Sequence, residues 1–600
     1  MCGIVGSINH HNIVPDLLEG LNQIEYRGYD SAGIAVIGEH GLTTIKRPGK
    51  LKQLETYLST TPLSGHAGIG HTRWATHGIP NEANAHPHSN DQVSVVHNGI
   101  IENYLQLRQW LTAEGFTFNS ETDTEVIPHL ITLFLARGLP PTQALHEALN
   151  HLDGAFALGV LFKNDKDHLY AARRGSPLVL GKGLQGLSLG SDTMALSSSV
   201  KEILYLEEGE QACLGRDVFT LFDPKGKPIS REMQPFDQER EDNGKDDHQF
   251  FMHKEIHQQV ATTRDTFHHT QHCLLDIPLD FEQFQRLTIV ACGTSYYAAM
   301  VAKYWFEQIA KVPVDIDVAS EFRYREPLLS KNGLALFISQ SGETADTLAA
   351  LRYAKANDQT ILSIVNVAGS TIARESNISL QTQAGPEIGV ASTKAFTAQL
   401  AILAKLAIHT AHYRKVIDVK EVKHLLNEMN ALPGLIDITL GIEDQIKVLG
   451  ASIKDAKHAF FIGRGINYPL AMEGALKLKE ISYMHAEGFG AGELKHGPIA
   501  LIEPGTPVFV IAPDDSLLEK TLSNAEEVAA RGARCIIIGN QASIRNLPEG
   551  MEHLILPPCD NRLSPILYAV ALQLIAYHAA LALGTDVDQP RNLAKSVTVE

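Results

Sequence analysis

Apolar residues in the first 238 positions gather in short runs rather than in long helical stripes. Ile34 to Ile37, Val93 to Val96, Ala157 to Leu161 and Val218 to Leu221 are bounded by Gly, Asn, Asp or His. Strands closed by turns have this pattern, and their density predicts stacked β-sheets with flanking helix. Residues 238–247 are then nearly free of apolar side chains, and they read as an exposed linker. From about residue 250 the period changes. Leu287 to Ala291 runs into Gly293-Thr294-Ser295 and a long helical stretch, Leu334 to Ile338 runs into Ser339-Gln340-Ser341-Gly342-Glu343-Thr344 and another, and Ile361 to Val365 follows. This is the βαβ rhythm of a parallel sheet covered on both faces. It recurs about 170 residues later in Ala459 to Gly463, a helix over Tyr468 to Ile481, Val508 to Ile511 and Cys535 to Ile538.

Six hundred residues exceed one hydrophobic core. The pattern predicts a first domain over 1–238, a linker over 239–249, α/β domains over 250–425 and 445–584, and a tail over 585–600. A net charge of −18 argues against nucleic acid and acidic membrane surfaces, which attract clustered Lys and Arg. The six cysteines are scattered without a paired spacing, so neither a disulfide framework nor a zinc ribbon is expected. Met-Cys-Gly-Ile-Val-Gly-Ser lacks the pattern of a signal peptide, and no window holds about 18 uninterrupted apolar residues. The expected location is cytoplasmic.

Candidate chemistry begins at Cys2. Removal of Met1 would place a thiol and a free α-amine on one residue, and an amine titrating at about 7.7–8.0 can act as a built-in base. Position alone favours an ordinary buried cysteine. The ordered segments Cys2 to Gly6, Tyr26 to Gly33, His71 to Gly78, His97 to Asn103 and Ser120 to Glu125 resemble those of the N-terminal-nucleophile glutamine amidotransferases. That resemblance implies that Cys2 attacks the glutamine amide and that Asn98 with the Gly99 N–H forms the oxyanion hole. It also implies that Arg73 binds the α-carboxylate and Asp123 the ammonium, with Trp74, Thr76 and His77 beside them. Taken alone, Asn98-Gly99 fits a type I′ turn. His71, His77, His86, His88 and His97 match no metal-ligand spacing, so no metal is expected there.

In the second part, the Ser/Thr loops that open helices can offer hydroxyls, backbone N–H groups and a helix dipole to a phosphate. They lack the P-loop Lys and the full dinucleotide fingerprint, and such turns also serve as plain helix caps. The two copies resemble sugar isomerase domains, which bind phosphosugars without metal or nucleotide. On that resemblance Thr294, Ser295, Ser339, Gln340, Ser341, Thr344, Val390 and Ser392 hold the sugar phosphate. Glu473, Lys477 and Glu480 fall on one helix face, either as a solvated salt-bridge stripe or as a proton-transfer set with pKa values moved by burial. Composition alone makes the tail from Thr585 a frayed terminus.

Both parts with the tail together resemble the isomerising glutamine–fructose-6-phosphate aminotransferases. The implied fold is an α+β N-terminal-nucleophile domain of αββα layers followed by two α/β/α three-layer parallel-sheet sugar isomerase domains. The implied substrates are L-glutamine and fructose 6-phosphate, without a cofactor. Glu480 is implied to move a proton between C1 and C2, His496 to assist ring opening, Lys477 to assist proton movement and Lys595 to form a Schiff base. Trp74, Ala594 and Val597 would line an ammonia channel. A homodimer is implied, with His496 as the candidate pocket element that one subunit contributes to its neighbour. A phosphoribosylamine- or asparagine-forming amidotransferase would need a pyrophosphate-ribose loop with paired Asp, or an ATP-binding Ser-Gly-Gly loop, and neither is found. A sugar sensor without turnover is the reading from another class.

Overall fold

Alternation along single strands separates the layers of the first part. The computed structural model describes residues 2–39, 41–236, 244–275, 277–331, 333–545, 547 and 550–598. In strand Gly3–Asn9 every residue is buried, because both faces of its sheet are covered. Ile4 and Ile8 face the core shared with a second sheet, together with Val96, Ala157 and Leu161. Val5 faces the other way, into a core with Leu17 and Leu21 of helix Val14–Gln23 and Leu54 of helix Leu51–Thr60. Such strands read as continuous apolar runs because neither face meets water.

The first sheet is antiparallel, with Gly186–Gly190, Gly3–Asn9, Ala67–Arg73 and Ser31–Gly38 as its central neighbours. The second centres on Val93–Ile101, Gly154–Phe162 and Leu169–Arg174. Helices Tyr104–Ala113, Val126–Ala136 and Pro141–Asn150 cover its outer face through Leu107, Leu130, Ile131 and Leu145. The layers are therefore helix, sheet, sheet and helix, as expected.

The chain divides into two compact units, residues 1–240 with 596–600, and residues 241–595. The second unit holds two five-stranded parallel sheets of the same topology. One runs Val314–Val318, Leu287–Ala291, Leu334–Ser339, Thr360–Val365, Ile378–Gln381. Its counterpart runs His485–Gly490, His458–Gly463, Pro507–Ile511, Arg534–Gly539, Glu552–Ile555. In each, the second strand in sequence lies outside the first and the third lies inside, so the order reverses beside the first strand. Helix Val419–Leu440 crosses position 425, where the sequence pattern ended the first α/β domain. Apolar positions such as Leu425, Met429 and Leu432 continue through it into the core.

Residues 239–243 of the expected linker lie outside the described residues. The remainder is attached to the second unit: Lys245 pairs with Asp588 at 3.2 Å, and Lys254 donates to the Gly244 carbonyl at 2.5 Å. Helix Ser564–Leu583 is apolar and long enough to cross a membrane, yet most of it is buried among the helices of this unit. Trp305 helps seat its start, donating to the Arg562 carbonyl at 2.6 Å. The start of the tail, around Asp588, is not frayed. Asp588 accepts from the Phe251 and Met252 N–H groups, both at 2.9 Å, and so caps helix Phe251–His257.

Candidate active sites

Pairing of Gly3 with Thr72 brings Cys2 beside the end of strand Ala67–Arg73. The Trp74 N–H donates to Cys2 Sγ at 3.3 Å. Gly28 permits this approach, since a Cβ there would stand 2.7 Å from the Trp74 nitrogen. Burial pushes the Cys2 thiol up, so the sulfur needs a base to become a nucleophile.

Asn98 and Gly99 lie within strand Val93–Ile101, paired with Ala157 and Phe156. They form no hairpin turn. Gly99 has φ +137°, and a Cβ there would stand 1.9 Å from the Ala155 carbonyl oxygen, so only glycine fits. Asn98 Nδ2 donates to the Cys2 carbonyl at 2.8 Å, and its Oδ1 faces His71 Nε2 at 3.1 Å. His71 Nε2 also faces the His97 carbonyl at 3.1 Å. Two acceptors require a proton on that nitrogen, and burial pushes the His71 pKa down to about 3. A neutral imidazole therefore sets the Asn98 amide with its NH₂ toward Cys2. The sequence offered His71 only as a metal-ligand candidate. Its ring stacks on His86 at 4.2 Å, and His97 bonds Thr124 at 2.8 Å, all of them buried.

Arg73 is buried, with Nη2 donating to the carbonyls of His77 and Gly78. Its Nη1 is buried and, among the described residues, has no partner. A buried guanidinium N–H left open fits a carboxylate oxygen as acceptor. Asp123 is buried and accepts from the Ile101 N–H at 2.8 Å. Thr76 is exposed, while Trp74 and His77 are half-buried.

In the second unit, the loops after strands Leu287–Ala291 and Leu334–Ser339 are neighbours, because Ala291 pairs with Ile338. They flank the point where strand order reverses, the usual ligand crevice of such sheets. Ser339 Oγ accepts from the Gly342 N–H at 3.0 Å and contacts Thr344 Oγ1 at 2.9 Å. Ser341 Oγ accepts from the Glu343 N–H at 3.2 Å. Gly342 has φ +65°, and a Cβ would meet Ser370 Oγ at 1.9 Å. Gln340, Ser295 and Thr294 are half-buried at the same strand ends.

Helix Tyr468–Ser482 carries Glu473, Lys477 and Glu480. The stripe is not solvated: Glu473 and Lys477 are each 1% exposed. Lys477 Nζ donates to Glu480 Oε2 at 2.6 Å and to Thr294 Oγ1 at 3.0 Å, with Glu473 Oε1 at 3.5 Å. Thr294 donates to Glu473 at 3.2 Å. One hydroxyl from the loop after strand Leu287–Ala291 of the first copy thus joins the charged helix of the second. Burial raises the Glu473 carboxyl to about 7. The two carboxylates hold Lys477 charged against burial, and Glu387 adds to their effect.

Glu387 is the link to the tail. Lys595 Nζ donates to Glu387 Oε2 at 2.5 Å and to the Gly389 carbonyl at 2.7 Å. The other Glu387 bonds come from Ser392 Oγ at 3.0 Å and from the N–H groups of Thr393 and Ala395 at 2.9 and 3.0 Å. Those donors and Lys595 pull the Glu387 pKa down despite full burial. Glu255 accepts from the Ile388 and Gly389 N–H groups at 2.5 and 3.1 Å, and burial beside Glu387 lifts it to about 7. Sequence reasoning missed both glutamates, since neither has a spacing that ties it to position 595. Val390 is buried and Ser392 half-buried on this loop. His496 is exposed on the 3₁₀ turn Glu493–His496 and joins neither cluster by hydrogen bond. Ala594 is half-buried and Val597 exposed.

Comparison with known proteins agrees with both halves. Residues 71–198 match the glutamine amidotransferase domain family, and residues 281–409 and 452–583 match the SIS domain family. Glutamine–fructose-6-phosphate aminotransferase (isomerizing) of Mesorhizobium japonicum is 52% identical over the full length of both chains. The protein of the same name from Zymomonas mobilis is 49% identical, again over both full lengths. Among solved structures, the C-terminal domain of glucosamine-fructose-6-phosphate aminotransferase from Francisella tularensis is 42% identical. It covers 58% of this chain and 99% of its own, with a TM-score of 0.56. With full-length identity at this level, the chain belongs to the family of isomerising glutamine–fructose-6-phosphate aminotransferases.

Proposed function

We propose that this protein converts D-fructose 6-phosphate and L-glutamine to D-glucosamine 6-phosphate and L-glutamate, the entry step of hexosamine synthesis. The observation that carries the reading is the full-length match to relatives of that name, made by a chain with both clusters in place. At the donor end, Cys2 adds to the side-chain amide while Arg73 and Asp123 hold the carboxylate and ammonium. Asn98 and the Gly99 N–H stabilise the oxyanion, where one lost donor costs about 2.7–4 kcal/mol. Ammonia leaves, and water hydrolyses the thioester to glutamate.

At the acceptor end, Thr294, Ser295, Ser339, Gln340, Ser341 and Thr344 hold the phosphate of the sugar, with Val390 and Ser392 beside it. An ammonium bound to Glu387 is no nucleophile, so Lys595 passes a proton to a base before it adds at C2, and the C2 oxygen leaves as water to give the imine. Ammonia then displaces the lysine from the imine. Glu480 takes a proton from C1 and returns one to C2, and Lys477 in contact with it supports the transfer. His496 assists ring opening, offered to or from a second subunit of a homodimer. Trp74, Ala594 and Val597 are assigned to the path of ammonia by family resemblance. The enzyme works in the cytoplasm, without nucleic-acid or membrane partners.

Purified protein with a verified free Cys2 should form glucosamine 6-phosphate and glutamate from the two substrates. Binding of the sugar without turnover would support the sensor reading and overturn this one.

A further inference from the structure

Helix Phe251–His257 sets His253 and His257 four residues apart on one face, far in sequence from Glu443, the first residue of helix Glu443–Ala451. The His253 and His257 Nε2 atoms lie 2.8 and 2.9 Å from the two oxygens of Glu443. Among the described residues, these three form the group whose donor atoms all lie within 4.8 Å of one another. Two neighbours complete the arrangement. His578 Nε2 stands 2.8 Å from Glu443 Oε1, and His248 Nδ1 stands 2.9 Å from His253 Nδ1. The His253 ring is stacked on Tyr577 at 4.9 Å. His253, His257 and Glu443 side chains are 22%, 32% and 20% exposed, so solvent reaches them, whereas His578 is 6% exposed.

We propose that His253, His257 and Glu443 bind a divalent transition metal, zinc by preference, with His578 and His248 orienting the ligands. Two imidazoles and one carboxylate, with water in the remaining position, form a donor set that zinc accepts. Bonds of about 2.0–2.1 Å would place tetrahedral ligand atoms about 3.3 Å apart. The two imidazole–carboxylate contacts, at 2.8 and 2.9 Å, therefore need to open by about half an ångström, and all three donor atoms already lie within 4.8 Å of one another. Tautomers agree as well. Metal on His253 Nε2 puts the ring proton on Nδ1, where His248 Nδ1 can accept it. His578 can keep donating to the carboxylate oxygen that the metal does not use. A ligand held by such outer partners is the common form of a protein metal site. The ion would join the helix capped by Asp588 to helix Glu443–Ala451, whose Glu443 is also held by His578 of helix Ser564–Leu583.

The test uses the full-length chain, stripped with chelator and dialysed. Zinc titrated against a chromophoric chelator should bind at one equivalent per chain with Kd of about 1 µM or tighter. Cobalt(II) should give the strong visible absorption of a low-coordinate site with nitrogen ligands. His253→Gln with His257→Gln should weaken zinc by about 100-fold or more, and His248→Gln by about 10–100-fold. His268→Gln, an exposed histidine elsewhere, should leave it unchanged. Glu443→Gln serves as a second, isosteric variant, and ammonia-dependent amination of the sugar checks that each variant is folded. Equal zinc uptake by the double variant would mean adventitious surface binding and overturn the proposal. Absence of the cobalt spectrum and of zinc at that concentration would leave a hydrogen-bonded imidazole–carboxylate cluster, and would overturn it too.

Discussion

Glu473→Gln should make the second unit less sensitive to pH while impairing sugar turnover. Glu473 is 1% exposed, and burial raises its carboxyl from 4.5 to about 7. Between those pH values the unfolded chain has lost the proton and the folded chain still holds it. The unfolded state then binds fewer protons, so stability falls as pH rises through 4.5 to 7 and the loss is complete above 7. At about 1.36 kcal/mol per pKa unit the loss totals about 3 kcal/mol. Glutamine cannot titrate. Its amide oxygen can take the Oε1 position facing Thr294 and Lys477, and its NH₂ the Oε2 position, which has no partner among the described residues. The unpartnered NH₂ brings a pH-independent penalty of about 1–3 kcal/mol, so the informative quantity is the change with pH. The stability difference, variant minus wild type, should grow by about 2–3 kcal/mol from pH 5 to pH 8. A chain with several domains does not unfold in two states, so the readout is amide hydrogen exchange over helix Tyr468–Ser482, compared at equal pH so that intrinsic rates cancel. A difference that stays constant from pH 5 to 8 would refute the reasoning, since Glu473 would then be ionised throughout.

Retaining Met1, which lies outside the described residues, should abolish glutamine hydrolysis by removing the free α-amine; full glutaminase activity in such protein, verified by mass spectrometry, contradicts the mechanism. Gly99→Ala should cost glutaminase turnover about 100-fold or more, because its Cβ overlaps the Ala155 carbonyl, while amination with added ammonia persists. Lys595→Arg should stop sugar conversion and borohydride trapping of the sugar; trapping on another lysine overturns the assignment. Glu387→Gln breaks a buried pair worth about 3–5 kcal/mol to disrupt, and sugar turnover should fall at least 100-fold with glutamine hydrolysis retained. Unchanged turnover would show that Lys595 is held by the Gly389 carbonyl alone.

Local patterns reveal much of the fold because buried central strands leave dense apolar runs. Leu287–Ala291 and Pro507–Ile511 were legible for that reason. Edge strands such as Val314–Val318 and His485–Gly490 were not, since their half-exposed positions break the apolar run. The helical spacing of Glu473, Lys477 and Glu480 is likewise a property of the chain alone, and the ordered motifs around Cys2 carry the family. Whether that stripe faces water depends on what packs against it. Only the tertiary structure brings Thr294 onto Lys477, Glu387 onto Lys595, His71 onto Asn98 and Glu443 onto His253. Each of those contacts joins residues remote in sequence, and its energy comes from burial that no local window records. The sequence by itself determined which groups could react; packing of the two sheet repeats and the docked tail decided which of them are dry, charged and in reach of one another.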